Sequence, residues 1–76
     1  MLTAKERTDI NRVIQSQNLF AKTLRTFMEN DPTAEELLGI WVTYATILDT
    51  YFPHSKAAHQ SRRHTWRVVY SLIKTL

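Results

Sequence analysis

The segment Asn30-Asp31-Pro32-Thr33-Ala34-Glu35-Glu36 decides how this chain folds. Proline disfavours helical geometry at the residue before it, so a helix arriving from the N-terminal side must stop by about Glu29. Thr33 and Glu36 form a capping box. In that motif the threonine hydroxyl accepts from the third helical N–H while the glutamate reaches back to the N–H of the cap. Glu35 and Glu36 also stand at the positive end of the dipole of the helix that begins there. One helix therefore ends and another begins within a few residues, a connection that in helical proteins joins antiparallel neighbours.

On the N-terminal side, Thr3-Ala4-Lys5-Glu6 repeats the capping box and predicts a first helix over residues 4–29. Its apolar stripe is Ile10, Val13, Ile14, Phe20, Ala21, Leu24, Phe27 and Met28, interrupted by one polar residue, Gln17. On the C-terminal side, the second helix spans residues 34–52 and is ended by Pro53, and Ser55 caps a third over 56–75. Apolar residues recur at three and four rather than at two, and the chain holds one glycine and two prolines. The expected fold is all-α: a three-helix bundle, or a helical hairpin plus a third helix, with residues 1–76 forming a single helical domain. No strand, internal repeat or linker is expected. At about 1.5 Å per residue the first helix reaches roughly 39 Å against roughly 27 and 30 Å for the others, so its first two turns should overhang.

A chain of 76 residues builds only a small core, and its stability is expected to be marginal without a supplement. There is no cysteine, which removes disulfides and thiolate zinc sites and leaves helix packing, within the chain or between chains. The start, Met1-Leu2-Thr3-Ala4-Lys5-Glu6-Arg7, lacks the apolar run of a secretory signal. The longest uncharged stretch, Leu37 to Leu48, is 12 residues, where a bilayer span needs roughly 20. The expectation is a cytoplasmic protein with no membrane partner.

Charge is segregated along the chain. Residues 1–28 carry five basic and two acidic groups, residues 29–53 five acidic and no basic, and residues 54–76 five basic and no acidic. Opposite signs on neighbouring helices favour one packing order, although each exposed pair contributes only about 0–1 kcal/mol.

The chemistry of common active sites is missing. His54, His59 and His64 are five residues apart, and on a helix that step turns each side chain about 140° from the last, so they do not converge on a metal. There is no glycine-rich phosphate loop and no carboxylate in the third helix. Neither an enzyme nor a bound cofactor or metal is expected, and attention moves to contact surfaces.

Two surfaces stand out. The second helix is apolar over well over half of its circumference, and the remaining strip, Gly39, Thr43, Thr46 and Thr50, is small and uncharged where a solvated face would carry Lys and Glu. Such a strip either faces water, lies under the chain's own first helix, or lets another helix approach closely. Two neighbours cannot surround this helix, so an exposed apolar patch and self-association into a homo-oligomer are expected. On the third helix, Lys56, Arg63, Arg67 and Lys74 align along one edge with Tyr70 beside them. They would suit an acidic protein surface or a phosphate backbone, or form an ordinary solvated face. Arg62 points the other way, toward an apolar arc of Ala58, Thr65, Val68, Val69, Leu72, Ile73 and Leu76 with Trp66 at its margin. It should pair with an acid of the second helix, Asp49 being one candidate, while its stem packs on an aromatic. Leu19 stands alone on the polar side of the first helix and needs no function.

The leading expectation is a non-enzymatic, self-associating, protein-binding module that regulates or inhibits a larger macromolecular partner. The alternatives are a nucleic-acid-binding protein using the basic third helix, and a structural subunit of a homo-oligomer.

Overall fold

The computed structural model describes residues 1–76 and contains three helices: α1 (Ala4–Met28), α2 (Ala34–Tyr51) and α3 (Lys56–Thr75). Helices take up 83% of the chain and there is no strand, so the all-α three-helix bundle is the fold. Each helix packs on both others, and the bundle measures 42 × 19 × 17 Å along its principal axes.

Each helix begins where its cap begins. Thr3 Oγ1 accepts from the Glu6 N–H at 3.1 Å while the Thr3 N–H donates to Glu6 Oε1 at 3.4 Å. Thr33 and Glu36 repeat the exchange at 3.1 and 3.3 Å. Ser55 Oγ accepts from the Ala58 N–H at 3.2 Å, with no acid in the first turn of α3 to complete a box. Each cap satisfies N–H groups that a helix start otherwise leaves without a partner. Asp31, before Pro32, sits in the left-handed region at φ 49°, a conformation that Asp tolerates better than most side chains.

The core is one cluster drawn from all three helices, with Val13, Phe20 and Leu24 from α1, Leu37, Tyr44 and Leu48 from α2, and Ala58 and Val69 from α3. Phe20 and Tyr44 stack at 4.7 Å between centroids. The stripe of α1 is narrower than its sequence suggests, because Ile14 and Ala21 at its edge are exposed. Likewise Val68 and Leu76, at the margin of the apolar arc of α3, stay open to water, while Ser61 is buried. The first turns of α1 are exposed, as an overhang requires, but they are not free of neighbours, since Leu2 and Glu6 line a shallow cleft with His54 and Lys56.

Polar residues tie the helices together inside the core. Ser61 Oγ donates to Gln17 Oε1 at 2.5 Å and lies 2.6 Å from the Tyr44 hydroxyl. Because the single Ser61 proton is spent on Gln17, Tyr44 must be the donor to Ser61. One chain of hydrogen bonds thus joins α2 to α3 to α1. Burial pushes the Tyr44 phenol above its ordinary value of 10.0, and the hydrogen bond with Ser61 offsets part of that rise. Gln17, the polar break in the α1 stripe, is the acceptor at the end of this relay.

Candidate functional site

Two surfaces remain after the core is filled, and they lie on different helices. The first is a groove between α1 and α2. Phe20, Phe27, Ile40 and Tyr44 form its floor, and Leu19 and Ile47 stand on its walls, enclosing about 530 Å³ open to solvent. It continues into a second depression that shares Ser16, Leu19 and Ile47 and ends at Tyr51 and Phe52. The only charged groups on this lining are Glu36 at one end and Arg12 at the other.

The groove changes the reading of two sequence features. Leu19 is not solitary: 67% exposed, it faces Ile47 and Tyr51, themselves 42% and 72% exposed, across the seam between the helices. Its partners are about thirty residues away along the chain, so the polar neighbours of its own helix gave no sign of them. The strip Gly39, Thr43, Thr46 and Thr50 is wholly exposed, and a Cβ at Gly39 would meet nothing within 4 Å. It is therefore not covered by the chain's own first helix. Gly39 and Thr43 belong to the groove wall, whereas Thr46 and Thr50 lie outside the groove. The hydroxyls of Thr43 and Thr46 donate to the carbonyls of Gly39 and Val42 at 2.9 and 2.8 Å, which turns the methyl groups of these threonines rather than their donors outward. On the other flank of the strip, Leu38 and Val42 are also exposed. The outer face of α2 is thus apolar or neutral from Leu38 to Ile47.

The second surface is the outer face of α3. Lys56, Arg63, Arg67, Tyr70 and Lys74 are all exposed, and the basic groups follow one another along the helix. The chain has one salt bridge, Arg62 with Asp49, and it uses the α3 cation that does not belong to this row. Arg62 also meets His59 Nδ1 at 3.0 Å. The four cations of the row have no carboxylate within ion-pair distance.

Beside the row runs an aromatic ladder that the sequence indicated only in part. Trp41 lies 4.9 Å from Trp66, Trp66 lies 5.9 Å from Tyr70, and Lys74 Nζ stands 5.2 Å over the Tyr70 ring. Trp41 is held by its indole N–H, which donates to Thr65 Oγ1 at 3.1 Å and to the Arg62 carbonyl at 3.3 Å. The i, i+4 spacing of Trp66, Tyr70 and Lys74 was visible in the sequence. The contribution of Trp41 was not, because it comes from another helix.

No three His, Cys, Asp or Glu side chains gather as a metal-holding group, and no helix is long and apolar enough to cross a membrane. Set beside known protein families, curated proteins and solved structures, the chain matches none of them.

Proposed function

We propose that this chain is a non-enzymatic protein-binding module that regulates or inhibits a larger partner by contact, and that its α1–α2 face pairs two copies of the chain. The observation that carries this reading is the exposed apolar groove with one acid and one base at opposite ends. Contiguous apolar surface of this kind on a small protein marks an interaction site. Its titratable groups are one carboxylate, Glu36, one guanidinium, Arg12, and two phenols, Tyr44 bonded inside the core and Tyr51 exposed at the groove's end. That set suits recognition better than proton transfer.

A second copy satisfies the ends of the groove. In a two-fold pair the same surface meets itself in reverse. A two-fold axis across the middle of the groove brings Glu36 of each copy toward Arg12 of the other, and Leu19 and Ile47 of both copies to the centre. A standard interface removes about 800 Å² per partner, roughly one seventh of the 5776 Å² that the chain exposes. One side of a three-helix bundle is large enough for that. Burial between copies also supplements a core too small to be very stable alone.

Sedimentation equilibrium over a range of concentrations tests the reading. Wild type is expected to associate, while Leu19→Glu and Ile47→Glu remain monomeric with unchanged helicity, because both side chains already face water in the single chain. Arg12→Glu weakens association, and combining it with Glu36→Arg restores it. A wild type that stays monomeric at the highest soluble concentration refutes the pairing.

A further inference from the structure

The geometry points to the outer face of α3 as a binding surface for single-stranded nucleic acid, with Lys56, Arg63, Arg67 and Lys74 on its phosphates and Tyr70, braced by Trp66, under a base. This surface shares no residue with the α1–α2 groove, so the inference stands independently of the proposed pairing.

The first ground is that the row is kept against local electrostatic preference. A solvated helix face ordinarily alternates sign, because opposite charges four residues apart stabilise a helix and like charges there destabilise it. Arg63 and Arg67 are a like pair at that spacing, and α3 contains no acid at all. Lys56 also occupies the first turn, at the positive end of the dipole, where α1 and α2 both place a glutamate in a capping box. The one carboxylate within ion-pair distance of an α3 cation, Asp49, is taken by Arg62, and Glu6 and Asp9, which share a cleft with Lys56, form no ion pair with it. An anion from outside the chain would remove every one of these unfavourable contacts.

The second ground is spacing. From Lys56 to Lys74 the row is about 27 Å long at 1.5 Å per residue. One strand of a nucleic acid carries a phosphate about every 3.4 Å along a stacked helix axis, so the row faces roughly eight of them. An arginine can take two oxygens of one phosphate at once, which a point charge does not.

The third ground is the ladder, which separates nucleic acid from an acidic protein. The Trp41 hydrogen bonds fix Trp41, and Trp66 lies between it and Tyr70 in two tilted ring contacts. Tyr70 is half exposed and its outer neighbour is the flexible Lys74. If Lys74 swings onto a phosphate, a base can take its place over the ring. A platform already ordered loses little entropy on binding, and stacking of this kind accepts any base.

The test is fluorescence anisotropy of a labelled thymidine oligonucleotide of about 12 nucleotides, within the site sizes of known single-strand binders. Four phosphate contacts predict a slope of log affinity against log salt near −3, or about a 50-fold loss between about 50 and 200 mM salt. Arg63→Gln with Arg67→Gln should halve the slope. Tyr70→Ala should weaken binding by about five- to a hundred-fold with the slope unchanged. Circular dichroism of each variant verifies that it folds. No binding at low salt overturns the proposal. Polyglutamate of equal charge binding as tightly assigns the row to acidic proteins instead and overturns it too, as does tighter binding of a duplex than of the single strand.

Discussion

Ser61→Ala is the substitution that most directly tests how this bundle is held together. Alanine is the better helix former, and on an exposed helix the change would stabilise by roughly 0.5 kcal/mol. At this position it removes the acceptor of the Tyr44 hydroxyl and the donor to Gln17. Gln17 is only half-buried and can turn to water, whereas Tyr44 is 5% exposed and cannot. An unsatisfied buried donor costs about 1–3 kcal/mol, so the loss outweighs the helix gain and about 1.5 kcal/mol of net destabilisation follows. For a domain of this size that is roughly a 6–12 °C fall in Tm. Tyr44→Phe removes the donor but leaves Ser61 bonded to Gln17 and the stack on Phe20 in place, and should cost about 1 kcal/mol. The double variant removes both partners, so it should cost about as much as Ser61→Ala alone rather than the sum. Urea denaturation followed by far-ultraviolet circular dichroism gives all three values. A Ser61→Ala protein as stable as wild type, or a cycle additive within about 0.3 kcal/mol, would refute the reasoning.

Because burial raises the Tyr44 phenol in the folded state, the folded chain holds that proton longer than the unfolded one; stability is unaffected by it below about pH 10 and falls as pH climbs through the raised value. The urea midpoint of wild type should therefore drop more steeply above about pH 10 than that of Tyr44→Phe, and parallel curves would contradict it. Asp49→Asn should cost at most about 1 kcal/mol, since Asp49 and Arg62 are 59% and 31% exposed. Thr33→Ala, which removes the hydroxyl that accepts from the Glu36 N–H but keeps the residue-33 N–H that donates to Glu36 Oε1, should cost about as much or more, and thermal melts of the two variants rank them.

Helix boundaries, caps and order were legible in the sequence because they rest on local rules. A proline forbids the helical conformation next to it, and a threonine three residues before a glutamate closes a ring of hydrogen bonds within one turn. The Arg62–Asp49 pair was legible for a related reason: one cation on α3 points away from the row, and the acid it needs lies on the neighbouring helix. The basic row too was evident, since all its members lie on one helix.

What only the tertiary structure decided is which edges of each apolar arc are covered and what meets across the seams. Ile14 and Leu38 are as apolar as Val13 and Leu37, yet one of each pair is exposed and the other buried, because the angle at which a neighbour crosses, not hydropathy, selects the covered side. Ser61 is buried because Gln17 and Tyr44 reach it from two other helices. Leu19 joins Ile47, and Trp41 joins Trp66, for the same reason. Helical period places a side chain on a face, but contacts between faces depend on the rotation and crossing of whole helices, which no window of sequence specifies.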